Sequence, residues 1–157
     1  MKSYKFLIFL FTSIILRAST LNAKQKVAIS TNGLGDFLIA PMYIAKDDVC
    51  TKIKIFNTNE KSSVLAKVVF REQISAKEVN LPIALSPGDV WDATICEVAG
   101  KVYLTSTDDS NHSFVKEVLR TGKDLNQHSF DAGYNDVDFR KGYVEVYPIA
   151  QFDELSI

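Results

Sequence analysis

The sequence contains few of the residues on which catalytic and metal sites are usually built. Its 157 residues include two histidines, His112 and His128, and two cysteines, Cys50 and Cys96. A cysteine nucleophile needs a neighbouring base, and zinc needs several Cys or His ligands at short spacing, which this sequence does not offer. It also lacks the Gly-x-Ser-x-Gly turn that presents a serine nucleophile. We therefore predict that the protein is not an enzyme.

The sequence also lacks a long apolar run and a cluster of basic residues. Its most apolar run, FLIFLFTSIIL near the N-terminus, has 11 residues, whereas a helix that crosses a bilayer needs about 20. Lysines and acidic residues are interspersed, so no basic stripe is available for a phosphate backbone and we predict no nucleic-acid binding. Gly33 and Gly35 precede a β-rich run, so they predict a turn and not a phosphate-binding loop at the start of a helix.

Residues 1–23 have the organisation of a secretory signal peptide. A positive start, MKSYK, precedes the apolar run, and the small residue Ala23 ends the segment. The alternative, an uncleaved membrane anchor, is disfavoured because the run is short. The segment carries three cations, Lys2, Lys5 and Arg17, and no acid, so its removal would lower the net charge from -1 to -4. We predict a periplasmic or extracellular protein with no membrane span after cleavage and a single domain over 24–157.

Apolar and polar residues alternate through the middle of the chain. Val79, Leu81, Ile83 and Leu85 occupy every second position of one run, and a period of two is typical of β-strands. Such runs recur between residues 26 and 107 with turns every 8 to 12 residues, too close for the helical crossovers of a parallel sheet. We predict an all-β fold, an immunoglobulin-like antiparallel β-sandwich. A small closed barrel is the structural alternative.

The same alternation predicts which residues are buried. Phe70, Leu85 and Trp91 are expected in the core, and Lys67, Arg71 and Asp92 are expected outside it. Pro41 and Pro82 have no amide hydrogen, which favours edge positions or a bend for their strands. Ser86-Pro87-Gly88-Asp89 has the composition of a type II turn.

The chain becomes polar and glycine-containing over 108–141. One short helix is predicted there, between Ser113 and Gly122, with Phe114, Val115, Val118 and Leu119 on a shared face. The last strand is predicted over 142–152, and its Pro148 argues against a central position. The insertion is thus a polar loop with a short helix between two β-rich parts of the domain.

The two cysteines are expected to form a disulfide if the chain is exported. When Ile53 and Ile55 face the core, Cys50 faces out; when Trp91 and Ile95 face the core, Cys96 also faces out. A bridge between the two sheets is therefore disfavoured. Cys50 opens one strand and Cys96 closes another, so antiparallel neighbours would bring them together, and we predict a Cys50–Cys96 bridge at the edge of one sheet.

Acidic and amide side chains gather near the end of the polar segment. Asp131, Asn135, Asp136 and Asp138 are candidate ligands for calcium, with Asp108 and Asp109 upstream. Calcium takes oxygen ligands from flexible loops, and extracellular modules bind it weakly. The spacing matches no EF-hand loop, and the alternative is that these side chains are simply solvated. Calcium is the one cofactor for which the sequence offers candidates.

The motifs NGLGDFLIAPMY, LAKVVFRE, LSPGDVW and GYVEVYPIAQF together resemble a group of uncharacterised bacterial envelope proteins with signal peptides. In outline the strand pattern is also similar to fibronectin-like and pilus-chaperone-like sandwiches. Neither resemblance implies an activity.

We predict a non-catalytic exported β-sandwich that acts as a binding or structural module of the cell envelope. Its partner would be an envelope protein or surface ligand, and its strand edges could accept a partner strand. One alternative is the N-terminal portion or accessory domain of a longer extracytoplasmic enzyme or adhesin, with a site in the polar segment. Another is a truncated fragment with an incomplete sheet.

Overall fold

A computed structural model of the protein describes residues 35–127, 133 and 137–153. These residues form eight strands and one nine-residue helix, and residues 125–127 are also helical. The elements are β1 (Leu38–Ile44), β2 (Thr51–Phe56), β3 (Ser62–Glu72), β4 (Glu78–Leu85), β5 (Val90–Val98), β6 (Lys101–Thr105), α1 (Ser113–Thr121), β7 (Lys123–Asp124) and β8 (Lys141–Asp153). The predicted signal peptide, and the strand expected to begin near residue 26, lie outside the described residues.

The strands form two antiparallel sheets of four. The first sheet has the order β1-β8-β3-β4, and the second has the order β2-β5-β6-β7. The predicted all-β, sandwich-like fold is therefore confirmed. The immunoglobulin-like topology is not confirmed; among the described strands, β1 pairs with β8.

The two sheets pack face to face over one hydrophobic core. Phe70 on β3 and Leu85 on β4 come from the first sheet, and Trp91 and Ile95 on β5 come from the second. All four side chains are buried, as the alternation predicted. Lys67, Arg71 and Asp92 are partly exposed, so the predicted faces of β3 and β5 are confirmed.

Turn residues fix how the strands connect. Gly88 has a φ of +71°, and the Asp89 amide donates to the Ser86 carbonyl oxygen at 3.1 Å, as in the predicted type II turn. This turn takes the chain from β4 in the first sheet to β5 in the second. The β5–β6 hairpin turns at Ala99 and Gly100, both with positive φ, which is the conformation that tight two-residue hairpins require.

Three of the chain's prolines lie in strands of the first sheet. Pro41 lies in the edge strand β1, where the pairing with β8 shifts register between Ala40 and Tyr43. Pro82 lies in the other edge strand, β4. Both positions agree with the expectation that a proline favours an edge or a bend.

The prediction for Pro148 was wrong, because its strand β8 is central, between β1 and β3. Two features make the proline tolerable. The pairing with β1 ends at Val146, before the proline is reached. On the other side, the pairing with β3 shifts register between Leu65 and Ala66, beside Pro148.

The polar segment contributes more to the core than its composition indicated. The predicted helix is present as α1, and Gly122 follows it with a φ of +99°. Leu119, Leu125 and Phe139 are fully buried. Val118, however, is 44% exposed, so the predicted shared face is not buried over its whole width. A nine-residue helix against one sheet buries only a narrow stripe.

Candidate binding cleft

The candidate calcium ligands are only partly described. Asp131, Asn135 and Asp136 lie outside the described residues. The carboxylate of Asp138 is held by the guanidinium of Arg140, with Nη2 2.6 Å from Oδ2 and Nε 2.8 Å from Oδ1. These hydrogen bonds hold the pKa of Asp138 below its usual range. In the part of the chain that the structure describes, no three His, Cys, Asp or Glu side chains are grouped to hold a metal ion.

Asp108 and the first histidine have local roles in the backbone, and Asp109 is exposed. Asp108 accepts hydrogen bonds from the amides of Asp92 and Ser110, at 3.0 and 2.9 Å, and so fixes the loop after β6. The carbonyl oxygen of His112 accepts the amides of Val115 and Lys116 at the start of α1. His128 lies outside the described residues.

The predicted disulfide between Cys50 and Cys96 is present. The two Cα atoms are 4.6 Å apart, next to the paired residues Thr51 and Ile95 of β2 and β5. Because β2 is the edge of the second sheet, the bridge ties this edge strand to its only neighbour among the described strands. Cys50 is exposed, as the prediction required.

A cleft of about 380 Å³ opens at the end of the sandwich opposite the disulfide. Its apolar wall combines both sheets: Leu38, Val64, Ala66, Leu85 and Val146 from the first, and Ile55 from the second. The rim carries Asp36, Asn57, Thr58, Asn59 and Gln151. An apolar interior of this volume with a few polar groups around it is typical of a ligand-binding pocket.

Asn57 fixes the wall of the cleft that follows β2. Its side-chain amide nitrogen donates to the carbonyl oxygens of Ser62 and Ser86, at 2.8 and 2.9 Å, and its Oδ1 accepts the Asn59 amide. The backbone adds two bonds to the β4–β5 turn, from the amide of Asn57 to Asp89 and from the amide of Gly88 to Asn59. Because Asn57 is buried, this wall is held in place before anything binds.

The opposite wall is the second half of β8, whose side toward β1 has no neighbour among the described strands and is called the open edge here. β8 pairs with β3 as far as Asp153, but its pairing with β1 ends at Val146. Among the described strands, none pairs with the stretch from Tyr147 to Asp153 on the side of β1. Pro148, Ile149, Ala150 and Gln151 of this stretch line the cleft. The cleft therefore runs along backbone groups that can pair with another strand.

Four of the apolar side chains that are more than half exposed lie on strands that line the cleft. Ile149 is 57% exposed and Phe56, across the cleft on β2, is 58% exposed. Phe152 on β8 and Ile39 on β1 are also more than half exposed. Scattered apolar residues are normal on a protein surface, but several at one end of a fold are typical of an interaction surface.

A charged network holds the outer face of the first sheet beside this edge. Arg71 Nε lies 2.6 Å from Glu145 Oε2, which also accepts the Tyr147 hydroxyl at 2.6 Å. Burial alone would raise the pKa of Glu145, but the bonds from Tyr147 and Arg71 outweigh it and lower the pKa. The ring of Tyr147 packs against Phe37, with centroids 4.8 Å apart. The strand is thus fixed where its open edge begins.

Comparison of the chain with protein-family models, with curated proteins and with solved structures finds no match. Among the described residues, no helix combines the length and apolarity that crossing a membrane requires.

No local sequence pattern predicts the cleft. Its lining comes from five strands that are distributed over the sequence, β1, β2, β3, β4 and β8. One signal was available in Pro148, which interrupts the alternation of the last strand at the point where β1 stops pairing. In the sequence, this proline indicates an edge strand. In the structure, β8 is a central strand, and Pro148 lies in the half of it that has a neighbour on one side only among the described strands.

Proposed function

We propose that the protein is a non-catalytic exported binding module that takes up an extended peptide segment along the open edge of β8. The observation that carries the proposal is the stretch from Tyr147 to Asp153, which pairs on one side with β3 and lines an apolar cleft on the other. An extended peptide can add to such an edge by backbone hydrogen bonds and place alternate side chains in a pocket.

Several features support this mode of binding over a small-molecule site. Backbone amides and carbonyls of the edge offer a repeating set of donors and acceptors, which another strand can satisfy throughout its length. Pro148 has no amide to donate, so the uninterrupted edge runs from Ile149 to Asp153. The cleft can hold one large apolar side chain of the added strand between Leu38 and Ile55.

Export is supported by two independent features. The sequence of residues 1–23 has the organisation of a signal peptide. The Cys50–Cys96 disulfide persists in oxidising compartments and is rare in the cytosol. Both features support a periplasmic or extracellular location, and the partner we propose is an envelope protein or surface ligand.

The proposal can be tested with a capped, fluorescein-labelled peptide of alternating sequence, TVTFTVT, whose anisotropy is measured against increasing protein concentration. Ile149→Ser removes apolar surface from the cleft and should weaken binding about fivefold, since a partly buried isoleucine contributes roughly 1 kcal/mol. Ile74→Ser is the matched control, because Ile74 is 84% exposed in the β3–β4 turn. Equal affinity of the two variants, or no binding by the folded wild-type chain, would contradict the proposal.

A further inference from the structure

The charges around the cleft are unequally distributed. Asp36 is the only ionisable residue among its described lining residues, and it is exposed. Glu60 follows the cleft residue Asn59, and Asp153 ends β8, where it accepts the Ser62 hydroxyl at 3.1 Å. Against these three carboxylates, the stretches 35–38, 55–62 and 146–153 contain one cation, Lys61. The mouth of the cleft is therefore acidic.

Asp36 is close to the path of an added strand. It lies two residues before β1, whose first residue Leu38 pairs with Val146, and the open edge of β8 begins directly after Val146. A long side chain of an added strand, near the end of that strand that lies beside β1, thus comes close to Asp36. Lysine and arginine suit this position, because their aliphatic stems can cover apolar surface while the charged end stays in water.

We infer that the extended segment bound by the cleft carries a lysine or arginine beside its apolar anchor residue, and that Asp36 selects for it. This inference rests on the proposed function. The apolar wall by itself would accept any extended apolar strand, so it supplies affinity with little discrimination. The acidic mouth supplies the discrimination, because it attracts a cation and repels a carboxylate.

Three peptides that differ at one position separate this inference from the proposed function. TVTFTVT, TVTFTRT and TVTFTET are compared by fluorescence anisotropy at low ionic strength. We expect TVTFTRT to bind about threefold more tightly than TVTFTVT, and TVTFTET to bind more weakly, as one exposed charge pair allows. The preference should shrink when salt is added, because salt screens exposed charges.

Charge reversal at Asp36 provides the second measurement. Asp36→Lys should invert the order, so that TVTFTET binds more tightly than TVTFTRT. Glu117→Lys is the matched control, because Glu117 is exposed on α1, which contacts β6 and not the cleft, and it should leave the order unchanged. Circular dichroism and Trp91 fluorescence confirm that each variant is folded.

Equal affinity for the three peptides, or no effect of Asp36→Lys, would overturn the charge selection while the proposed function stands. Failure of all three peptides to bind would overturn both. Concentration-dependent dimerisation that the peptides block would identify a second copy of this chain as the occupant. If the peptides bind only after Val27→Asp and Ile29→Asp are introduced together, the occupant of the cleft is the chain's own segment 26–31. Either result would overturn the inferred partner.

Discussion

Gly142 and Tyr43 show how single residues determine the packing of the first sheet. Gly142 on β8 lies between Tyr43 on β1 and Glu72 on β3. A Cβ atom at this position would overlap the carbonyl oxygen of Arg71 and lie 2.8 Å from the Tyr43 hydroxyl. Glycine is therefore required here by space and not by backbone conformation. The Tyr43 ring lies over the glycine and against Phe70, with centroids 6.2 Å apart.

The side chain of Asn111 supplies hydrogen-bond partners to buried polar groups of the second sheet and of the loop after β6. Its Oδ1 accepts the indole N–H of Trp91 at 2.8 Å, and its amide nitrogen donates to the Ser106 hydroxyl at 3.0 Å and the Asp108 carbonyl at 2.7 Å. The chain lies close to β4 here, since Asn111 forms a bridge with Ile83. Replacement would leave several buried groups without a partner.

We predict that Asn111→Ala lowers the free energy of unfolding by about 2 to 3 kcal/mol, since each unsatisfied buried group costs roughly 1 to 3 kcal/mol. Urea denaturation followed by Trp91 fluorescence measures the change. Asn80→Ala is the control, because Asn80 is exposed on β4 and its side-chain amide donates to the exposed-side carboxylate of Glu78. A loss equal to that of the control would show that the buried network contributes nothing.

At the scale of single elements, a buried charged residue at the end of β3 holds the turn that follows this strand. Glu72 ends β3 and is almost fully buried. Its carboxylate accepts the amide of Ile74 at 2.8 Å and the amide and hydroxyl of Ser75 at 2.6 and 2.7 Å, which closes the β3–β4 turn. Burial and the charge of Asp138 act to raise the pKa of Glu72, but the hydrogen bonds from Ser75 and Ile74 outweigh them and lower it.

The lowered pKa of Glu72 predicts a loss of stability in acid. A carboxyl group whose pKa is lower in the folded state stabilises the fold above its unfolded pKa of about 4.3, and this contribution disappears as the pH falls through the folded value. At pH 7, Glu72→Gln should lower the free energy of unfolding by about 1 to 2 kcal/mol, and the difference from wild type should shrink below about pH 4.

Urea midpoints of wild type and Glu72→Gln between pH 7 and pH 3 measure this difference. Glu145, another carboxyl group with a lowered pKa, destabilises both proteins in acid alike, so its contribution cancels in the difference. A difference that stays constant over the whole range would mean that the Glu72 charge does not stabilise the turn.

At the scale of the whole molecule, the edge strand β2 and the second half of β8 each have one neighbour among the described strands, and they are held by different means. β2 pairs with β5, and the disulfide just before it closes a loop with a sequence separation of 46 residues. The Thr51 hydroxyl links β2 to the first sheet, since it donates to the Ile44 carbonyl at 2.8 Å and accepts the Ile44 amide at 3.0 Å. β8, by contrast, has only β3 beside its second half among the described strands.

Reduction of the disulfide should therefore lower stability without removing the fold's architecture. Closing a loop of this length is expected to contribute about 4 kcal/mol through the entropy of the unfolded chain. The measurement compares urea denaturation with and without a phosphine reductant, and Cys50→Ala with Cys96→Ala serves as the thiol-free reference. An unchanged midpoint would contradict the prediction.

What could be predicted from the sequence followed from local alternation. Trp91, Ala93 and Ile95 lie on one face because a strand has a period of two, so their burial was predictable. The same argument placed Cys50 and Cys96 on outward faces at adjacent strand ends, and the disulfide followed. The helix over Ser113 to Thr121 was also predictable, because Gly122 marks its end.

The neighbours of β8 and the cleft beside it were decided only by the tertiary structure. The sequence indicates which face of a strand is buried, but the pairing of Ser62 with Asp153 joins residues 91 positions apart. Such a pairing depends on how all strands share the core, which no local pattern encodes. Pro148 therefore indicated an interruption in the last strand but not its position in the sheet. The sequence determined faces, turns and the disulfide. The tertiary structure decided the open edge, because Leu38, the first residue of β1, pairs with Val146, and none of the described strands continues the pairing while β8 extends to Asp153.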